Sequence, residues 1–206
     1  MRQRHIKHAT EDIMISMGVQ FEITRIHLDP SEKIYVEIGS GKGQFITSLA
    51  HDFPEIQFVA IEKDIDVCYR IAEKKVALDL KNLFIVNVDA IHVDVLFHPS
   101  SIDMIYLNFS DPWPKKKHHK RRLTAEPFVI TYQKLLKKEG MLQLRTDHYD
   151  FFIDSKETLS KRFLIDEIDF DYPKTLYMTE YEEKKRDHGP IYQLRGKVIH
   201  DTTTLS

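Results

Sequence analysis

The most constraining feature of the sequence is a glycine-rich turn between an apolar strand and a helix. The predicted strand Lys33–Ile38 runs into Gly39-Ser40-Gly41-Lys42-Gly43, after which a helical pattern continues to His51. Glycines tolerate positive φ and let a ligand approach the backbone closely, and the helix that follows presents its N-terminal amides at the same point. This order predicts the first unit of an α/β fold with a ligand site at the turn.

Short β-branched runs alternate with longer amphipathic stretches along the rest of the chain. Further strands are predicted at Gln57–Ile61, Leu83–Asn87, Asp103–Leu107, Met141–Thr146, Phe163–Phe170 and Ile191–Ile199. Helices are predicted at Gly43–His51, Asp64–Leu80, Leu123–Lys138 and Tyr149–Arg162, and Gly140 is expected to stop the third. Most of these strands are too apolar to have a solvated face, which is typical of central parallel strands.

The pattern therefore predicts a Rossmann-like α/β fold with a mostly parallel, seven-stranded sheet and helices on both faces. The last two strands are expected to pair as an antiparallel hairpin at the sheet edge, joined by a long connection over residues 177–189. A single domain is expected over residues 1–206, with a helix and loop extension at 1–32 before a catalytic core at 33–206.

Composition bounds the class of protein. With 42% hydrophobic residues, a chain of 206 residues can bury one sizeable core. The apolar runs are strand-sized, so no membrane span or signal segment is predicted. The single cysteine, Cys68, falls on the apolar side of a predicted helix and excludes an intrachain disulfide. A cytoplasmic protein without a membrane partner is expected.

Acidic residues follow three of the predicted strands. Glu62 ends the second strand, Asp89 lies just past the third and Asp111 just past the fourth. In an open parallel sheet, ligands bind beyond the carboxyl ends of the strands. A carboxylate after the second strand can accept hydrogen bonds from both ribose hydroxyls. A carboxylate after the third strand can accept a hydrogen bond from the exocyclic amine of adenine. Their joint placement predicts a nucleoside site.

The glycine spacing narrows the choice of nucleoside. Gln44 stands where a dinucleotide fingerprint needs its third glycine, and Lys42 is not followed by the Ser or Thr of a phosphate-binding loop. Glu37 would repel a pyrophosphate but attract the sulfonium and amino group of S-adenosylmethionine. The pattern E-x-G-x-G-x-G resembles motif I of class I methyltransferases. The residues expected to bind S-adenosylmethionine are Glu37, Gly39, Gly41, Gly43, Glu62, Asp89 and Asp111.

A stiff loop and a basic run follow the fourth strand. Asn108-Phe109-Ser110-Asp111-Pro112-Trp113-Pro114 places an aromatic face and a carboxylate at fixed positions. The next residues, 115–122, carry six of the thirty basic residues, so the rest of the chain has a net charge of −8 against −2 for the whole. Because the run directly follows an active-site loop, it predicts that these basic side chains bind the phosphates of a nucleic-acid backbone. Without RNA, its clustered charges are expected to keep it mobile.

The run N-F-S-D-P-W-P-K-K-K-H-H-K-R-R-L-T closely resembles the signature of the bacterial tRNA (guanine-N7)-methyltransferase family. Arg145-Thr146-Asp147, the stretch Thr179–Lys184 and Pro190-Ile191-Tyr192 support the resemblance. It implies a guanine of the tRNA variable loop, at tRNA position 46, as the target. It also implies substrate contacts at Lys115, Asp147, Thr179, Glu180, Tyr181 and Glu182, and RNA contacts at Lys117, His118, His119, Lys120, Arg121 and Arg122.

The implied chemistry needs no general base, because N7 of guanine has a lone pair and no hydrogen. Asp111 is expected at the reaction centre, where a carboxylate can stabilise the positive charge that grows on the purine. Asp147 and Glu182 are expected to accept hydrogen bonds from the N–H groups at guanine N1 and N2. Trp113 or Tyr181 is expected to stack on the base. The eleven histidines show no ligand spacing, so no metal is expected.

Other functions remain open from the residues alone. S-D-P-W also resembles the loop of methyltransferases that act on exocyclic amines of RNA bases. The chain could instead be a non-catalytic RNA-binding subunit with a methyltransferase fold, and a nicotinamide-dependent oxidoreductase is disfavoured by Gln44 and Glu37. Besides tRNA, no obligate protein partner is indicated, so a monomer or homodimer is expected.

Overall fold

Eight strands form one mixed sheet in the computed structural model, which describes residues 5–200. The strands are β1 (Val19–Gln20), β2 (Lys33–Ile38), β3 (Ile56–Ile61), β4 (Leu83–Val86), β5 (Ile102–Asn108), β6 (Leu136–Thr146), β7 (Phe163–Asp169) and β8 (Tyr192–Val198). The α-helices are α1 (Glu11–Ser16), α2 (Gln44–Asp52), α3 (Ile65–Ala77), α4 (Val93–Leu96), α5 (Glu126–Leu135), α6 (Tyr149–Leu159) and α7 (Glu180–Lys185). No helix among these residues is long and apolar enough to cross a membrane.

The strand order is β1-β4-β3-β2-β5-β6-β8-β7. Strands β1 to β6 pair in parallel, whereas β8 pairs antiparallel with both β6 and β7. The predicted fold class, with its antiparallel edge hairpin, is therefore confirmed. The order reverses between β2 and β5, and the cleft outside the carboxyl ends of the strands at this point is where open α/β sheets bind ligands.

The core lies on both faces of the sheet, as predicted. Along β3, Val59 and Ile61 face one apolar cluster while Phe58 and Ala60 face the other. Helices α5 and α6 cover the first face, and α2 and α3 cover the second. Cys68 of α3 is fully buried, and burial raises the pKa of its thiol to about 12. The thiol is therefore a core group and not a nucleophile.

The predicted helix Leu123–Lys138 is too long, and its expected stop at Gly140 is wrong. Helix α5 ends at Leu135, and β6 begins at Leu136 and contains Gly140. The residues Lys137-Lys138-Glu139 have a high helix propensity. Leu136, however, is fully buried and pairs with Ile102, and this strand pairing outweighs the local preference for a helix. A register shift follows in this ladder, and a Cβ on Gly140 would lie 2.9 Å from Leu136. The glycine is needed for that close approach.

The N-terminal region contains more than the predicted helix and loop. Helix α1 is present, but Val19–Gln20 adds an eighth strand, parallel to β4, where seven strands were predicted. Two residues are too few to show a strand period, so the sequence pattern could not reveal it. The long connection between β7 and β8 also contains a helix, α7, and this helix lies at the candidate site.

Candidate active site

A cavity of about 680 Å³ opens at the carboxyl ends of β2, β3, β4 and β5. Residues from both sequence motifs line it together. They are Gly39, Gly41, Ile61, Glu62, Lys63, Val88, Asp89, Ala90, Ile91, Phe109, Ser110, Asp111, Trp113, Lys120, Arg121, Leu123 and Phe128. The glycine turn and the loop before the basic run therefore share one cavity, at the position where the strand order reverses.

The glycine turn adopts a backbone that only glycine accepts readily. Gly39, Gly41 and Gly43 have φ of 76°, 56° and 79°. A Cβ on Gly43 would lie 2.9 Å from Ile71, so this glycine also lets α2 pack on α3. A Cβ on Gly41 would meet nothing within 4 Å, because this residue borders the open cavity. The turn thus leaves room for a ligand beside the backbone.

Glu37 lies beneath the turn, fully buried at the end of β2. Its Oε1 accepts a hydrogen bond from Nδ2 of Asn108 at 2.8 Å, while Oε2 is buried without a partner among the described residues. Burial raises the pKa of Glu37 to about 8, although the bond from Asn108 lowers it. A buried carboxylate oxygen without a donor is costly, and a cationic ligand that donates to it would remove this cost, although Glu37 is not among the residues that line the cavity.

Two further carboxylates stand at the ends of β3 and β4. Glu62 accepts the amide of Gly41 at 3.0 Å and that of Asp64 at 2.9 Å, and burial raises its pKa. Asp89 accepts the amide of Ile91 at 3.1 Å and lies 3.9 Å from the ammonium of Lys63. Both side chains line the cavity. Their backbone bonds fix the orientation in which they can accept hydroxyl or amine donors.

The loop after β5 holds Asp111 between two residues with strained backbones. Phe109 and Trp113 have φ of 51° and 40°, values that non-glycine residues rarely adopt. The indole of Trp113 stacks on His118, with ring centroids 5.7 Å apart, and the guanidinium of Arg121 lies 5.0 Å from its centroid. Asp111 is exposed and lines the cavity. Such strain is typical of loops whose shape serves a site.

The basic run forms a 3₁₀-helix over Lys116–Arg121. The side chains of Lys115, Lys117 and Lys120 are exposed, as is that of Arg121, and His118 and His119 are half-buried.

Arg122, in contrast, points into the protein. It donates to the carbonyl of Pro112 at 2.8 Å, pairs with Asp154 at 2.7 Å and lies over the ring of Phe151. Its contacts hold the loop against α6, and a contact between Arg122 and RNA stays a prediction.

The segment before and within α7 completes the rim. Thr179 caps the helix by accepting the amide of Glu182 at 2.9 Å. Tyr181 packs its ring 5.2 Å from that of Phe109 and donates its hydroxyl to Asp147 at 3.1 Å. Of the predicted substrate residues, Tyr181 and Asp147 therefore meet next to the loop after β5.

Two of the three acidic residues of α7, both of them predicted tRNA contacts, make contacts within the protein. Glu182 is fully buried and pairs with Arg145 at 3.4 Å and with Arg186. Glu180 pairs with Lys74 of α3. Their proposed contacts with tRNA remain predictions.

Three partners of the site were missed by the sequence analysis. Asn108 fixes Glu37, Arg145 holds Glu182, and Lys185 lies 3.4 Å from Asp147. Asn108 ends β5 and pairs in register with Arg145, the residue before the last of β6. A polar residue near the end of an otherwise apolar strand indicates a residue with a role at the site. Which side chain it contacts depends on the order of the strands in the sheet, which the local sequence does not give.

Comparison with known proteins gives the same fold. The chain resembles a 16S rRNA methyltransferase, KamB, with a TM-score of 0.63 and 12% identity over 96% of this chain and 98% of that chain. It also resembles the tRNA (m1A58) methyltransferase of Aquifex aeolicus, with a TM-score of 0.60 and 14% identity over 97% of this chain and 71% of that chain. The fold, with its cavity at the reversal of strand order, is that of the class I methyltransferases.

Sequence relatives define the family. A family described as "Putative methyltransferase" matches residues 31–194. The tRNA (guanine-N(7)-)-methyltransferase of Staphylococcus haemolyticus is 43% identical over 179 residues, which cover 82% of each chain. That of Lachnoclostridium phytofermentans is 46% identical over 169 residues, which cover 78% of each chain. The chain belongs to the tRNA (guanine-N(7)-)-methyltransferase family.

Proposed function

We propose that this protein transfers the methyl group of S-adenosylmethionine to N7 of a guanine in the variable loop of tRNA. The observation that carries the proposal is the shared cavity, which joins the glycine turn and the carboxylates Glu62 and Asp89 to Asp111 and the basic residues Lys120 and Arg121. One end suits a nucleoside and the other suits a polyanion. The names of the relatives at 43% and 46% identity support the same reaction.

The residues present fit S-adenosylmethionine. Oε2 of Glu37 is buried without a partner, and the space beside Gly41 is open. Glu37 would hold the cationic amino acid end, Glu62 the ribose hydroxyls and Asp89 the adenine amine, while the exposed side chain of Ile91 would cover the adenine. When bound, the cofactor supplies an electrophilic methyl group. The chain's contribution is then to orient the acceptor and exclude water.

The guanine would lie between the loop after β5 and α7. Asp111 would stabilise the positive charge that develops on the purine, and no side chain has to remove a proton from N7. Asp147, which already accepts the Tyr181 hydroxyl at 3.1 Å, would accept N–H donors from the Watson–Crick edge of the base. The exposed ring of Tyr181 and the indole of Trp113 are available for stacking.

Labelled S-adenosylmethionine and an unmodified tRNA transcript test the proposal. We expect label transfer, followed by strand cleavage at one variable-loop guanine after reduction and aniline treatment, which requires N7 methylation. A transcript with adenine at that position is the matched control and should take up no label. Label transfer without cleavage would favour methylation of an exocyclic amine. Binding of tRNA without any transfer would favour a non-catalytic RNA-binding subunit.

The same proposal places the protein in the cytoplasm, as one catalytic domain that acts as a monomer or homodimer. The continuous sheet from β1 to β7 supports one domain, because strands from both halves of the chain pair within it. Light scattering in solution would give the oligomeric state, and cell fractionation would test the location.

A further inference from the structure

Outside the cavity lining, α7 contacts the glycine turn. Glu180, the first residue of α7, directs its carboxylate towards the turn. One oxygen pairs with the ammonium of Lys74 on α3, and the other accepts the amide of Gln44 at 3.4 Å. The ammonium of Lys74 also donates to the carbonyl of Lys42 at 2.8 Å. A single lysine therefore joins the turn to α7.

The environment of this pair favours a persistent contact. The side chains of Lys74 and Glu180 are 34% and 26% exposed, so they are less screened by water than a surface pair. A second bond supports the same junction, since Nε2 of Gln44 donates to the carbonyl of Met178 at 3.3 Å. By contrast, the pair between Lys81 and Asp79 is 84% and 78% exposed.

The contact connects two parts of the site that bind different molecules in the proposed function. The turn borders the cofactor end of the cavity, while Tyr181, the next residue of α7, reaches Asp147 at the guanine end. A ligand that holds the turn in place also holds the carbonyl of Lys42, and through Lys74 it holds the first turn of α7. Binding free energies at two sites become coupled when one ordered element serves both.

We propose that Lys74 and Glu180 form a positioning pair that makes the tRNA-binding segment at α7 depend on an ordered cofactor turn. This inference rests on the proposed function and gives Glu180 a role inside the protein instead of a contact with tRNA. Neither residue touches the reacting atoms. Occupation of the cofactor end would thus prepare α7 for the base, which favours binding of cofactor before tRNA.

Kinetics of Lys74→Met provide the first test. We expect KM for tRNA at saturating S-adenosylmethionine to rise about tenfold, while Kd for S-adenosylhomocysteine measured without tRNA changes less than about twofold. Lys81→Met, which removes the exposed pair, is the matched control and should leave both constants unchanged. Glu180→Gln should match Lys74→Met, and the double variant should be no worse than either single one. Additive losses, or an unchanged KM for tRNA, would overturn the pairing.

Hydrogen exchange supplies a readout that does not depend on activity. In the wild type, S-adenosylhomocysteine should slow amide exchange in a peptide covering α7, and in Lys74→Met this slowing should disappear while the turn itself is still protected. Equal protection of α7 in both proteins would refute the coupling. A wild type that shows this protection but methylates no tRNA would refute the proposed function and leave the coupling standing.

Discussion

The pKa of the Glu37 carboxyl group depends on whether a cation is bound beside it. In the protein without a bound cation, burial raises the pKa to about 8, against 4.5 for an exposed glutamate. Between these values the folded protein holds a proton that the unfolded chain has released, so the free energy of unfolding falls as pH rises towards 8. The cation that Glu37 is proposed to bind would reverse this preference and favour the ionised form.

Glu37→Gln tests this protonation. Glutamine resembles the protonated acid and can still accept the bond from Asn108, so the variant should match the wild type in stability at pH 5. At pH 8 the variant should be the more stable protein, by about 3 kcal/mol, because most of the difference in protonation between the folded and unfolded wild type accumulates between pH 5 and pH 8. Urea unfolding at both pH values measures the difference. If the difference in free energy of unfolding between the two proteins were the same at both pH values, Glu37 would be ionised in the folded protein at pH 5 as well as at pH 8.

Asp147→Asn tests recognition of the base. Replacing the carboxylate by an amide loses a charged acceptor for guanine N–H donors, and kcat/KM for tRNA should fall about 10- to 100-fold. Binding of S-adenosylhomocysteine by calorimetry should stay unchanged. Asp150→Asn, at an exposed position three residues further on, is the control and should behave as wild type. Equal losses of tRNA turnover and cofactor affinity would contradict a role confined to the base.

At the scale of elements, α7 is held by a buried charge cluster. Glu182 is fully buried between Arg145, whose side chain is 5% exposed, and Arg186, whose side chain is 16% exposed. Its second oxygen lies on the Arg145 side, where Arg145 also donates to the carbonyl of Tyr177 at 3.1 Å. Breaking such a cluster leaves a buried guanidinium without its counter-charge.

Glu182→Gln should therefore lower the free energy of unfolding by about 3–5 kcal/mol, as expected when one partner of a buried ion pair is removed. Glu183→Gln, at the exposed neighbouring position, should change it by less than about 0.5 kcal/mol. Urea unfolding of both variants gives the comparison. Wild-type stability of Glu182→Gln together with lost tRNA turnover would instead favour a direct contact between Glu182 and the base.

Elements with a clear period were predictable, whereas elements set by distant contacts were not. β3 is wholly buried, and four successive apolar residues follow Gln57 in its sequence. The acids Glu62 and Asp89 could be placed at strand ends because parallel strands end at one edge of a sheet. The start of β6 at Leu136 depends on pairing with Ile102, and the role of Lys74 depends on a residue 106 positions away. Such partners, distant in the sequence, cannot be predicted from the local sequence pattern.

At the scale of the whole molecule, residues 115–122 form an exposed basic face on a chain whose remaining residues are net acidic. The chain outside residues 115–122 has a net charge of −8, and five of the six basic residues in that run are exposed, with Arg122 buried. Phosphates of tRNA would be drawn more strongly to this face than to the rest of the chain, whose net charge is negative. Binding should therefore be strongly oriented even before any base is recognised.

The salt dependence of tRNA binding tests this distribution. With five exposed cations, log K against log salt should fall with a slope of about −4. The double variant Lys117→Ala and Lys120→Ala should reduce the magnitude of the slope by about two, and Lys137→Ala and Lys138→Ala, outside the basic run, should leave it unchanged. Filter binding at several salt concentrations measures the slopes. Equal slopes in all three proteins would place the phosphate contacts elsewhere.

The position of β8 between β6 and β7 has a consequence for synthesis on the ribosome. Among residues 5–200, β7 pairs with β8 and with no other strand, and β8 is made later, so the partner of β7 is absent when β7 leaves the exit tunnel. The parallel strands that form the cofactor end are complete by Thr146, some fifty residues before β8 ends at Val198. The nascent chain can thus build its nucleoside half first, and β7 joins the sheet only after β8 has been made.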